Sequence, residues 1–280
     1  MSLPAIAIGP HRISRVTIGG NPFSGFSHQN SRRDAEMLDY YSVARIKQTL
    51  AECEAAGINT CCLRTDAHIW RMLREYRNDG GKIQWIAQMG VGADEYKANV
   101  NQAVANGAIA YYIHGGVTDQ CYSEKRLDRI AEMIKYIHDK GIPAGLAGHA
   151  PEAHLAVYEA GIPADFHVVC FYNCGSLHVG KGDRFDPGDP PKAVEVIRRI
   201  AKPCIGYKIL GAGRVPAAQA FAFAFANIKP TDAVNVGMFT KDNPRMVQEN
   251  VELARRAMEA CARPGGTRLR RARRARTPRL

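Results

Sequence analysis

The chain has 280 residues, 46% of them hydrophobic and 23% charged, which are the proportions of an ordinary globular protein and exclude a disordered or fibrous one. No run of about eighteen apolar residues occurs, and residues 1–9 lack the basic start and long apolar centre of a secretory signal, so no membrane partner and a cytoplasmic location are the default expectations. The formal charge of +11 owes eight units to Arg263, Arg268, Arg270, Arg271, Arg273, Arg274, Arg276 and Arg279, so any nucleic-acid binding would be confined to that end.

The eight cysteines fit a reducing compartment. Cys61 and Cys62 are adjacent and cannot easily bridge; Cys53, Cys170, Cys204 and Cys261 lie in or beside apolar stretches, and no CxxC pair is present. Buried, reduced thiols are expected.

Along the chain, short β-rich runs alternate with helical stretches. After a leader over 1–13, able to plug the floor of a barrel, residues 15–19 read as the first strand. A long loop over 20–41 precedes a helix over 43–56, a strand over 59–63, a helix over 67–76 and a strand over 83–87. The pattern continues with helix 96–106, strand 109–113, helix 125–140 and strand 143–147. Pro151 opens a further helix at a first-turn position, and strand 166–171 follows. Helix 191–201, strand 204–209, helix 216–227, strand 233–237 and helix 244–260 complete the series. Gly57, Gly107, Gly141 and Gly161 each close a helix with the left-handed cap that a short connection needs. Eight such units predict an α/β chain folded as one (β/α)8 TIM barrel over 14–260, with 261–280 as a disordered, arginine-rich tail. An open doubly wound sheet is the alternative, but no dinucleotide glycine fingerprint supports it.

Several segments together resemble the aldo-keto reductase family, over roughly residues 16–255. Gly237-Met-Phe-Thr-Lys-Asp-Asn-Pro-Arg-Met-Val-Gln-Glu-Asn-Val251 is similar to that family's last strand and the helix holding the adenosine end of its cofactor. Gly145-Leu-Ala-Gly-His-Ala-Pro-Glu152, followed by Phe171-Tyr-Asn173, resembles its Gly-Val-Ser-Asn turn and later Tyr-Asn. Tyr207-Lys-Ile-Leu-Gly-Ala-Gly213 resembles its seventh strand. The resemblance implies reduction of a carbonyl with NADP or NAD. It gives Lys241 to a 2′-phosphate, Glu249 and Asn250 to the adenine, Tyr207 to the nicotinamide face, and Asn173 to the cofactor site. His114 matches the family histidine that orients the carbonyl. Elsewhere the catalytic pattern departs: Gln88 stands where the family has Lys, Arg64 where it has Asp, and Ile69 or Trp70 where it has the proton-donating Tyr. A register shift of two puts Asp66 on the acid and still supplies no Tyr. Ala147-Gly148 and Val169 replace residues that grip the nicotinamide amide.

Apart from any family, the strand ends present Asn21, His28, Arg64, Asp66, Gln88, His114, His149, Asn173 and Lys208 to the mouth, where barrel enzymes keep their chemistry. His114 and His149 stand on neighbouring strands and, with Asp66 or Asn173, could hold a divalent metal, although no HxH or HExxH spacing marks a ligand set. His149 and His154 could equally cap a helix in solvent. Lys208 interrupts an apolar run before a glycine-rich turn; such a lysine can form a Schiff base, act as a general base or clamp an anion. Gly211-Ala-Gly213 with Arg214 resembles a phosphate cradle. Loop one, with Phe23 and Phe26, reads as a lid or substrate wall. Phe221, Phe223 and Phe225 sit two apart, cannot share one helical face, and are read as core and helix–sheet packing. Three functions remain on a small-molecule substrate: a nicotinamide-linked reductase of a small carbonyl or sugar-like compound; a barrel lyase, isomerase or hydrolase using His114, His149 and Lys208, metal-dependent or not; and a non-catalytic binding protein.

Overall fold

Eight parallel strands close on themselves in the computed structural model, which describes residues 3–90, 92–174 and 185–262. After a hairpin of β1 (Ala5–Ile8) and β2 (His11–Ser14), the barrel strands are β3 (Val16–Gly19), β4 (Thr60–Arg64), β5 (Gln84–Gln88), β6 (Ala110–Ile113), β7 (Ala144–Gly148), β8 (Phe166–Cys170), β9 (Cys204–Tyr207) and β10 (Ala233–Gly237). The last strand pairs with the first, Val234 opposite Val16 and Gly237 opposite Gly19, and that pairing shuts the barrel. Nearly every residue of these strands is buried, as expected of a parallel sheet covered on both faces.

The helices form the outer layer: α1 (Ser31–Tyr40), α2 (Val43–Ala56), α3 (Ala67–Asn78), α4 (Tyr96–Ala105), α5 (Gly115–Ser123), α6 (Leu127–His138), α7 (Pro151–Glu159), α8 (Asp189–Arg199), α9 (Ala217–Asn227) and α10 (Met246–Ala262). The left-handed caps fall where expected, with φ of 98° at Gly57, 79° at Gly107, 78° at Gly141 and 71° at Gly161. The main core lies between sheet and helices, and a second, smaller one fills the barrel.

The hairpin closes the floor. Ile6, Ile8 and Ile13 pack against Ile86, Ala110 and Phe166 of the barrel interior. Arg12 O accepts from Asn59 Nδ2 at 3.1 Å and Gln84 Nε2 at 2.9 Å, tying the hairpin to the entry ends of β4 and β5. Burying three isoleucines contributes several kcal/mol, at roughly 1.5–3 kcal/mol each.

Three local expectations change. The stretch read as an unstructured first loop contains a 3-10 turn, Pro22–Ser24, and all of α1. The Asn30 side chain accepts from Arg33 N at 2.9 Å and starts that helix, but Met37 is its one buried residue, so no apolar period announced it. Helix α5 was not expected either, because two glycines open it. Strand β9 ends at Tyr207 instead of 209, since Lys208 takes a left-handed φ of 55°.

Side-chain expectations divide in the same way. His154 is buried in α7 instead of exposed, Cys261 is exposed while the other seven cysteines are buried and free, and Phe223 is 37% exposed while Phe221 and Phe225 pack inward. The arginine-rich segment 263–280 lies outside the described residues, as does 175–184 after β8. No helix among the described residues is long and apolar enough to cross a membrane.

Candidate active site

A cavity of about 600 Å³ opens at the C-terminal ends of the strands. Its lower wall is Cys62, Tyr112, Ala147 and Val168, which also belong to the barrel's inner core. Residues following β3, β4, β5, β6, β7, β9 and β10 form the rim, so the site draws on nearly the whole circumference.

Lys208, His149 and Tyr207 form one side of this cavity. The Lys208 Nζ is buried with no hydrogen-bond partner among the described residues, 5.6 Å from the centroid of the Tyr207 ring. A lysine in the left-handed region carries backbone strain of roughly 1–2 kcal/mol, which the surrounding structure must hold. The Tyr207 hydroxyl donates to Gly148 O at 3.2 Å, and burial pushes its phenol well above the ordinary range. The rings of Tyr207 and His149 meet edge to face at 6.0 Å, so Tyr207 neighbours both the lysine and the histidine.

His149 is fixed by Asp119 of α5. Its Nδ1 lies 2.8 Å from Asp119 Oδ2, while the same carboxylate accepts backbone N–H groups from His149 at 3.0 Å and Ala150 at 3.2 Å. Burial alone would raise the Asp119 carboxyl, but the bond from His149, its charge and the two amides outweigh it and hold it below the usual range. With an anion on Nδ1, the imidazole keeps its proton there and leaves Nε2 for exchange.

The other wall is different. His114 caps α5, its Nδ1 accepting from Gly116 N at 3.1 Å, and it lines the cavity with Gln88. The Tyr112 hydroxyl donates to Gln88 Oε1 at 3.2 Å, and burial raises that phenol strongly. Arg64 leans over the Phe26 ring with 5.2 Å from guanidinium carbon to centroid, donates to Gly90 O at 3.4 Å, and has Nε 3.7 Å from Asp66 Oδ2. Asp66 does not line the cavity; its Oδ1 caps α3 by accepting from Ile69 N at 3.0 Å.

The remaining expected residues lie elsewhere. The Asn173 amide donates to Asp189 Oδ2 at 3.1 Å, in a separate cleft of about 190 Å³ beside Glu152 and Lys192. Lys241 and Glu249 are exposed, Asn250 is buried, and none of the three lines the main cavity. Glu249 accepts from Asn243 Nδ2 at 2.7 Å. The turn expected to cradle phosphate uses its own amides: Gly211 N donates to Lys208 O, Gly213 N to Leu210 O and Arg214 N to Gly211 O. Phe185 lies so close that a Cβ on Gly211 would stand 2.6 Å from its ring. Gln29 Nε2 bonds Ala212 O at 2.8 Å and Arg214 bonds His28 O at 3.0 Å, strapping the first loop over this turn. Asp242, next to Lys241, faces the cavity and pairs with Arg33. Of the residues the resemblance gives to a cofactor, Tyr207 alone lines the main cavity among the described residues. Among the described residues no group of three or more His, Cys, Asp or Glu could hold a metal ion.

Sequence reasoning missed Asp119 and Tyr112. Asp119 had no signal, since the helix carrying it was itself unforeseen. Tyr112 could have been found, because alternation along β6 sends it and Ala110 into the barrel and Tyr111 outward to Asn99.

No protein-family model and no curated protein matches the chain. Solved structures do. One, provisionally described as an aldo-keto reductase from Pseudomona aeruginosa, shares 18% identity at a TM-score of 0.62, covering 91% of this chain and 94% of its own. A second structure so described, from the same organism, gives 18%, 0.61, 91% and 95%. A truncated 3-deoxy-D-arabino-heptulosonate 7-phosphate synthase from Thermotoga maritima gives 13% identity, a TM-score of 0.55 and 92% coverage of both chains. The chain shares their barrel; identities this low speak for the fold alone.

Proposed function

We propose that this chain is an enzyme acting on a small, sugar-like carbonyl compound through a Schiff base at Lys208. The observation that carries this reading is the Lys208 amine, buried at the cavity without a hydrogen-bond partner on a backbone strained to hold it there. A buried primary amine is costly to keep unless its reactivity is used, and strain kept at a mouth residue points the same way.

The Lys208 amine attacks the carbonyl carbon through its lone pair; the nitrogen gives up a proton and the carbonyl oxygen takes one, giving a carbinolamine. His149, oriented by Asp119 at its Nδ1, shuttles protons through Nε2. Loss of the hydroxyl as water leaves an iminium, C=N, in place of C=O. That cation makes the neighbouring C–H acidic, or the next C–C bond breakable, so the reaction class is isomerase or lyase. Addition of water to the iminium returns the amine, and no oxidant is consumed.

Borohydride trapping tests this. Incubation with simple aldehydes and borohydride should add the carbonyl fragment, less its oxygen, to Lys208 in a peptide map, and Lys208→Met should remove the adduct. Modification spread over surface lysines, or unchanged in Lys208→Met, would sink the reading. A reductase using NADP or NAD is the second reading, favoured by Tyr207, which lines the cavity at the position the resemblance gives to the nicotinamide. Saturable binding of NADPH or NADH with carbonyl-dependent oxidation would replace the Schiff-base account; no response of melting temperature at millimolar cofactor would remove the reductase.

A further inference from the structure

We infer that the substrate carries a carboxylate as well as its carbonyl, and that Arg64 grips it. This rests on the carbonyl reading above and names the rest of the molecule. Among the described residues the cavity wall holds two guanidinium groups, Arg33 and Arg64, and the Lys208 amine, against one acid, Asp242. Asp242 is spent on Arg33. Arg64 therefore faces the cavity with no acid among the described wall residues to answer it.

Arg64 is built as a receptor. A guanidinium offers five N–H donors in a planar fork, yet among the described residues this one makes a single hydrogen bond, 3.4 Å to Gly90 O. Asp66 steadies it from outside the cavity at 3.7 Å, with one oxygen already committed to its helix cap. Phe26 supports its face at 5.2 Å, which fixes the plane and leaves the edge to a ligand. A planar fork pairs best with a planar two-oxygen anion.

Phosphate is the less suitable anion. Its usual partners are converging backbone amides, and the turn that would offer them, Gly211 to Arg214, has bonded those of Gly211, Gly213 and Arg214 internally. The strand order then gives the spacing. β4, which ends in Arg64, and β9, which leads into Lys208, are separated by β3 and β10, so the guanidinium and the amine stand across the mouth from each other. A chain with a carbonyl at one end and a carboxylate at the other bridges them.

The test uses flexible, achiral probes: glyoxylate, succinic semialdehyde and adipic semialdehyde, the methyl ester of each, and glycolaldehyde phosphate. Binding is read by calorimetry on the wild type and on Lys208→Met, where no adduct can form, and trapping is read on the wild type. At least one acid should bind about tenfold or more tighter than its ester in both proteins. Arg64→Met should erase that preference, and Arg64→Lys should keep part of it; Arg64→Gln repeats the measurement if the Met variant melts early. Esters equal to acids, a preference that survives loss of Arg64, or tighter binding of the phosphate than of every acid would each overturn the inference. Acid preference without any trapped adduct would leave Arg64 in its role and remove the Schiff base instead.

Discussion

His154 and His167 form a buried pair behind the active-site wall, and they should set the acid limit of the fold. Both are almost fully buried, with Nδ1 atoms 3.2 Å apart, and His154 Nε2 lies 3.4 Å from Gly148 O. A consistent arrangement has His154 donating from Nε2 to Gly148 O and accepting at Nδ1 from His167; both rings are then neutral. Burial is the main cause that lowers His154 from 6.5 to about 4, and it holds His167 well below its ordinary value. In the unfolded chain these rings bind protons near pH 6.5; in the folded one they resist. Stability is therefore full above about pH 6.5 and falls as the pH drops toward the folded value. For His154 alone the loss is roughly 3 kcal/mol between about pH 7 and pH 4, at 1.36 kcal/mol per pKa unit. Urea unfolding of wild type and His154→Gln across that range measures it. The variant starts less stable, but its curve should be flatter by roughly 3 kcal/mol. Parallel curves would refute the reasoning, because they would mean that His154 gains its proton as easily folded as unfolded.

Asp119→Asn should cut turnover by about 10²–10⁴-fold through misplacement of the His149 proton, with little change in KM. It should also remove stability that is present above about pH 4 and lost as the pH falls through the depressed carboxyl, visible as a shallower acid limb in thermal melts. Lys208→Gly should abolish trapping yet raise the melting temperature, since glycine relieves the φ of 55° and removes a buried amine, together about 1 kcal/mol or more. Gly90→Ala would set a Cβ 2.4 Å from Thr65 O, a backbone atom that cannot yield. It should cost about 1–3 kcal/mol in denaturant unfolding and weaken carboxylate binding, because the Gly90 carbonyl that holds Arg64 must move.

The strand–helix rhythm and the glycine caps carried the architecture, because each is a local property: a closed run of buried strands reads as apolar, and a left-handed cap needs glycine. The site was legible one residue at a time. Lys208, His149, Gln88 and Arg64 stood out as polar groups at strand ends, where alternation aims side chains at the mouth. Their partners did not, since the Asp119–His149 bond spans thirty positions and depends on a helix whose first two residues are glycine. At the rim, the strap between the first loop and the turn after β9, Gln29 to Ala212 and Arg214 to His28, joins residues far apart in the chain, and no sequence period reports it.

The hairpin closes the barrel floor, so among the described residues the cavity opens at the C-terminal ends of the strands, beside Arg64. On the proposed Schiff-base reading, the water lost as the iminium forms, the incoming substrate and the departing product share that opening. Occupancy then becomes a traffic problem: the water that frees the product must return past the carboxylate held at the threshold, and that passage can set the pace of turnover.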